Sequence, residues 1–454
     1  MQKVGEGWPM VHALIGGTAA MRAAGKTLLP QWPKEDDESY KARLSVATLY
    51  PVFRRTVEVN AARPFSRPAT VVAEGLPEEW LADVDLQGSN LTAFANSMLY
   101  DGLAYGLAGI LVDYPPSAGV KTRAQEKASG ARPYFVKYSG SHILGWKVDK
   151  SKLIQLRLLE NVEVDDGQWA TTTIEQVRVL EPGKWQTYRL NEKTKEWYLF
   201  EEGVTTLEVI PWVFVYGLKI AFGHGHSPLK DLAYLNAEHY QSSSDQQTIL
   251  HVARVPILFG KGFGDNEITV GAAHAVMADN ADADLAYVEH QGTSIEAGRE
   301  SLLDLEERMR ATGAELISQK PVQTTATQVT SEGESAKSVL QQIVENLEEA
   351  FCQAICLMGR WANSPVEPVV EFFKNFTATP PDDNTTLRGA KDSGVISRQT
   401  MFEELQRRDV LSLDRKWDDE KDRLAAERDT VSQPQANDQP SEEDLLNEPA
   451  PTDS

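Results

Sequence analysis

Only two cysteines, Cys352 and Cys356, occur in this 454-residue chain. One helical turn apart, they can build neither a disulfide framework nor a four-ligand zinc site, and they suit a reducing compartment. Basic residues are also in deficit: 45 Lys and Arg stand against 67 Asp and Glu, a formal net charge of −22. Gripping nucleic acid by neutralising phosphates needs clustered Lys and Arg, so the balance argues against that strategy while leaving room for nucleic acid passing nearby. Long hydrophobic runs are missing too. The nearest, LTAFANSMLYDGLAYGLAGILV at 91–112, is interrupted by Asn96, Asp101 and glycines, and reads as a buried helix running into a strand rather than a membrane span. The opening residues MQKVGEGWPM lack the basic-then-apolar plan of a signal peptide, so no secretory leader is expected.

What is present is a folding composition, 41% hydrophobic and 25% charged. The length exceeds the roughly 250–300 residues at which a single core stops growing, so two or more domains or subdomains are expected. Residues 38–61 carry Tyr40, Leu44, Ala47 and Tyr50 at helical spacing before Pro51, then Val52, Thr56 and Val59, which predicts two helices meeting at a proline. From about 107 to 218 the pattern is β. GILVDYP, PYFVKYS, ILGWKVDKS, LIQLRLLENVEV, TIEQVRVLE, WQTYRL, WYLFEE and IPWVFVYG are short β-rich runs divided by turn residues, and they predict a mostly antiparallel sheet region.

Helix returns at Ser227, an N-cap followed by Pro228, and runs over 227–255. Residues 256–293 form a Gly- and Asp-rich unit with strand-like ends, and 294–317 a second helix. Ser331 and Glu334 have capping-box spacing ahead of a third helix, in which Val339, Ile343, Leu347, Phe351, Ala354 and Met358 form one apolar stripe flanked by the two cysteines. A strand is expected within 366–376. Ser397 and Asp414 are candidate caps for two polar helices, with Asp419 and Arg423 at i,i+4 spacing in the second, and the acidic segment from Val431 onward predicts disorder.

A search for chemistry finds no catalytic constellation. Ser141 beside His142 lacks a Gly-x-Ser-x-Gly elbow. His224 and His226 form an H-x-H pair without carboxylate or cysteine spacing around it, and read as a loop leading into the helix. Asn280, Asp282 and Asp284 imitate the start of a calcium loop, but Leu285 occupies the glycine position and Gln291 the glutamate position. No phosphate-binding loop occurs. No catalytic residue, metal or cofactor is therefore assigned.

The segment SQKPVQTTATQVTSEGES, 318–335, differs from both neighbours: between Ser318 and Ser331 its only charged side chain is Lys320. By itself it is a polar linker between helices. The order of elements changes that reading. Tyr40, Arg43, Ala47, Tyr50, Thr56 and Val57, followed by Pro64, Phe65 and Pro68, then Gly106 with Ile110 to Pro115, and GVISRQT at 394–400 together make the chain, over roughly 38–430, resemble the portal proteins of tailed bacteriophages. It is most similar to a portal-like group once labelled only as a domain of unknown function.

The resemblance implies an α+β portal-like fold. Its parts would be a helical and β-rich wing (1–226), stem helices (227–255 and 294–317), a small α/β clip (256–293), a tunnel loop (318–334), a long wing helix and strand (335–380), a helical crown (381–430) and a disordered acidic tail (431–454). It implies a ring of about twelve subunits at one capsid vertex of a virion assembled in the host cytoplasm, through which double-stranded DNA passes without sequence-specific binding. DNA would meet Lys320, Gln323, Thr324, Thr325, Thr327 and Gln328. The clip, through Lys261, Phe263, Asp265, Asn266, Glu267, Asp282 and Asp284, would meet the terminase large subunit and later a head-completion or adaptor protein. Major capsid and scaffolding proteins would be further partners, and no membrane is involved. The alternatives are a metal-assisted hydrolase using His224 and His226, or a virion scaffold component without a channel.

Overall fold

Turn residues divide the chain before any packing does. The computed structural model describes residues 5, 7–115, 131–150, 152–165, 167, 169–191, 194–254, 257–261, 282–288, 293–317, 338–374, 384–407, 411 and 415–431. It is mixed α+β and separates into two units, residues 1–377 and 378–454.

In the first unit, helix α1 (Trp8–Ala24) starts with a proline in its first turn and buries Val11, Leu14 and Met21. Helix α2 (Asp37–Val46) is capped by Asp36, whose carboxylate accepts from the backbone N–H groups of Glu38 and Ser39 at 3.0 and 2.8 Å. Helix α3 (Val52–Ala62) begins after Pro51, so the predicted pair of helices forms on either side of that proline. After strand β1 (Thr70–Val72) and the short helix α4 (Glu78–Ala82), Asn90 caps helix α5 (Leu91–Tyr105) by accepting from Ala93 N at 2.8 Å.

All eight β-rich runs become strands: β2 (Leu107–Asp113), β3 (Tyr134–Ser139), β4 (Ile143–Asp149), β5 (Lys152–Asp165), β6 (Thr171–Glu181), β7 (Lys184–Leu190), β8 (Trp197–Val204) and β9 (Trp212–Tyr216). They form two sheets, ordered β3-β2-β9 and β4-β5-β6-β7-β8, with every pairing antiparallel. Strand β2 is buried along nearly its whole length because both of its faces are covered. Ala108, Ile110 and Val112 face the helical core, while Leu107 and Leu111 face the larger sheet with Leu156, Leu158 and Leu180. Gly109 sits mid-strand because any Cβ there would enter the Trp212 indole.

A hairpin of β10 (Leu218–Ala221) and β11 (His224–His226) leads to helix α6 (Lys230–Ala253). Strands β12 (Ile257–Lys261) and β13 (Asp284–Val288) then pair antiparallel, and helix α7 (Thr293–Ala314) returns. Helix α8 (Val339–Trp361) buries Ile343, Leu347, Phe351, Ala354 and Met358, the predicted stripe, with Val339 packed beside it. Cys352 and Cys356 lie half-buried on its flank. The capping box observed is Ser338 with Gln341, each side chain bonded to the other's backbone N–H; Ser331 and Glu334 lie outside the described residues. The strand expected within 366–376 shortens to β14 (Val369–Glu371), which pairs with β1.

In the second unit, helices α9 (Asn384–Asp392), α10 (Arg398–Arg407) and α11 (Trp417–Val431) follow one another. Ser397 caps α10 by accepting from Thr400 N at 3.0 Å, and the Phe402 and Trp417 rings meet at 5.4 Å. Arg423 faces Glu420 at 3.8 Å, one position away from the expected Asp419. Asp414 and residues 432–454 of the acidic tail lie outside the described residues, while Val431 closes α11. Helices α1 and α4 were not anticipated from the sequence, whereas α9 falls in the stretch from Pro380 expected to be helical.

Gly106 closes α5 in the left-handed region (φ +79°), where a Cβ would collide with the backbone of His226 and Ser227. Gly106→Ala is expected to destabilise by at least about 1–3 kcal/mol from backbone strain alone. The midpoint of urea unfolding measures this, and an unchanged midpoint would contradict the close approach.

Candidate functional site

The long helices α6 and α7 pack side by side and antiparallel. At one end Gln246 Nε2 donates to Ile295 O at 2.8 Å, and Gly298 leaves room for the Gln246 side chain, which a Cβ would meet. Midway, His239 Nε2 lies 3.6 Å from a Glu306 carboxylate oxygen, while Leu305 and Met309 are buried. Near the body, a Cβ on Gly313 would come within 3.2 Å of Thr56 on α3 and within 3.9 Å of Leu232 on α6. Each helix of this length spans roughly 35 Å.

Buried polar bonds root the pair in the body. Ser227 Oγ donates to Leu103 O at 2.6 Å and accepts from Leu229 N at 3.0 Å, so the predicted cap also ties α6 to α5. Asn236, fully buried, donates to Tyr50 O at 2.8 Å and accepts from Phe53 N at 2.9 Å, which satisfies an orphan amide at the start of α3. Gln241 Nε2 donates to Leu28 O at 2.9 Å. The Arg43 guanidinium makes a two-pronged bond to Glu35, both contacts 2.8 Å, and lies 3.8 Å from Asp245 of α6. That bonding holds the Glu35 carboxyl below its ordinary range, whereas burial raises Asp245 despite Arg43.

At the far end, the backbone of Lys261 stands opposite that of Asp284 as β12 and β13 pair, and Lys261, Asp282 and Asp284 are exposed. Phe263, Asp265, Asn266 and Glu267 lie outside the described residues. At the body end, α7 gives way to residues 315–317 and the chain resumes at Ser338, where Leu340 N donates to Leu316 O at 3.1 Å. The stretch 318–337 therefore starts and finishes at one closed base, and it contains Lys320, Gln323, Thr324, Thr325, Thr327 and Gln328, all outside the described residues. From this base α8 runs into the core. Glu348 accepts from Phe372 N at 2.7 Å and Lys374 Nζ at 2.8 Å, and Trp361 Nε1 donates to Val112 O at 2.9 Å.

His224 and His226 belong to a strand rather than the expected loop, and the His224 ring lies against Trp146 at 5.0 Å. Among the described residues no group of three or more His, Cys, Asp or Glu is placed to hold a metal ion, and no helix is long and apolar enough to cross a membrane. Sequence reasoning missed Asn236 and Gln241, whose partners are far away in the chain. It also missed Ser338-x-x-Gln341, whose spacing was visible.

Residues 228–362 match a family described as a domain of unknown function, DUF4055. No curated protein matches the chain. Similar solved structures include the neck of an empty gene transfer agent (GTA) particle computed with C6 symmetry, at 11% identity and TM-score 0.41, covering 85% of this chain and 96% of that one. They also include the virion of the native GTA particle, at 10% identity and TM-score 0.42 over 85% and 97% of the two chains. A third is the neck of the native GTA particle computed with C12 symmetry, at 10% and 0.41 over 85% and 98%.

Burial lowers the pKa of His239 below 6.5, against a smaller opposing pull from Glu306. A depressed folded pKa contributes stability that is present above the unfolded value and is lost as pH falls. His239→Gln is therefore expected to flatten the loss of stability between pH 7 and about pH 5. Unfolding midpoints across that range test it, and an unchanged slope would contradict the neutral buried imidazole.

Proposed function

We propose that the chain is a portal-type conduit, a homo-oligomeric ring of about twelve copies at one capsid vertex of a virion, through which double-stranded DNA is packaged and later ejected. The observation that carries this reading is the pairing of α6 with α7. Two long antiparallel helices project from a helical and β-rich body, carry a two-stranded tip, and return to a closed base from which 318–337 departs. In this reading 1–226 is the wing, the helices are the stem, 256–293 is the clip and 381–430 the crown. The clip docks the terminase large subunit and then a head-completion protein, and capsid and scaffolding proteins surround the ring. The chain has no catalytic activity of its own.

Charge gives the loop its task. A basic loop would bind phosphates and stall translocation, and an acidic one would repel DNA at the narrowest point. Residues 318–331 avoid both: Gln323, Thr324, Thr325, Thr327 and Gln328 offer brief hydrogen bonds, and Lys320 supplies one weak contact per subunit. Long loops inside a folded body are commonly functional. Along α7, Glu296, Glu300, Asp304 and Glu307 are exposed on one side of the helix, where Arg299, paired with Glu296, and Arg310 are exposed beside them.

Deleting residues 320–330 is expected to leave subunit assembly intact and to reduce the DNA packaged or retained per particle. Quantifying nuclease-protected DNA in particles built with the deleted chain tests this, and normal DNA content would contradict the role given to the loop.

A further inference from the structure

The five-stranded sheet has an outward face that breaks the usual rule for antiparallel sheets. Its inner face packs Leu156, Leu158 and Leu180 into the core. On the outer face, cross-strand register places Leu159 opposite Val177, Val177 opposite Tyr188 and Tyr188 opposite Leu199. This is one apolar row across four strands where polar side chains are expected, and Leu190 opposite Trp197 extends it. The row ends on β8, an edge strand whose Trp197, Tyr198, Leu199 and Phe200 are 44–48% exposed. Natural edges are guarded by lysine, proline or bulges; the β8 run from Trp197 to Val204 contains neither lysine nor proline, and its one irregularity is a register shift at Phe200 in the pairing with β7.

The opposite edge of the same sheet is built in the reverse sense. At the β4–β5 corner, Lys147, Lys150 and Lys152 are exposed beside a single Asp149, with Val148 and Ile154 about as exposed as the β8 aromatics. In a chain of net charge −22 this is a local basic patch. The β8 edge carries Glu201 and Glu202, both exposed.

We propose that these two edges meet between copies of the chain: the apolar row and acidic β8 edge of one subunit seat on the lysine-bearing β4–β5 corner of the next. The occupant is a second copy because the complementary charge and the matching aliphatic side chains lie on the far edge of the same sheet. Because the two surfaces differ, the contact is head-to-tail, the kind that closes into a ring or propagates as a filament. The inference rests on the ring reading and names the surface that would build it.

The test is a charge swap followed by sedimentation velocity over a concentration series, with the melting temperature of each variant confirming its fold. Two variants, Glu201→Lys with Glu202→Lys, and Lys147→Glu with Lys150→Glu and Lys152→Glu, are each expected to raise the concentration needed for assembly at least about tenfold, since like charges then face each other. All five changes together should restore assembly. Leu199→Asp, which leaves the pairing charges in place, should weaken assembly without rescue by the lysine changes. Rings from both charge-reversed variants at wild-type concentrations would overturn this surface while leaving the ring reading intact. Charge-dependent association that stops at open chains or dimers would support the surface and overturn the ring. A wild-type chain that stays monomeric throughout would overturn both.

Discussion

Helix α8 buries one whole side, and the packing of that side holds together pieces that have little else in common. Phe351 meets Phe94 of α5, Phe135 of β3 and Phe372 beyond β14, with ring centroids 6.0–6.2 Å apart. A large aromatic at such a junction is worth about 3–5 kcal/mol against alanine. Glu348 and Trp361 add hydrogen bonds to the backbone of Phe372 and Val112. The N-terminus of the same helix is where Leu340 meets Leu316, so the packing that stabilises the body also holds together the described residues on either side of 318–337.

The paired helices draw on a different kind of interaction. Asn236 and Ser227 are buried polar groups whose bonds are all made within the body, and loss of either side chain would strand a backbone group of α3 or α5. Such groups fix register where apolar packing alone would tolerate sliding. Farther out, Gln246 and Gly298 keep α6 and α7 close without a large core between them.

Much of this was legible in the sequence, for identifiable reasons. The eight strands were readable because β-branched and aromatic runs are separated by Gly, Pro, Asn and Asp at short intervals. Helix α8 was readable because its apolar residues repeat at helical spacing. Helix α1 was not, because WPMVHALIGGTAAMRAA is apolar on most sides and carries Gly16 and Gly17 in its middle, so it lacks a periodic stripe. The cap of α8 was misplaced because Ser331 and Glu334 repeat the spacing of Ser338 and Gln341 one short step upstream. Asn236 could not be found locally, since its partners Tyr50 and Phe53 lie across the chain. Of the candidate site, the closed base and the backbone pairing of Lys261 with Asp284 were beyond sequence reasoning, while the scarcity of charge between Ser318 and Ser331, where Lys320 is the one charged side chain, was plain in it.

The most direct measurement is electron microscopy of the purified full-length chain, with class averages viewed down the particle axis. The account predicts rings of about twelve subunits around an open channel, the closed form of a head-to-tail contact. Compact dimers or tetramers without a central opening would contradict it.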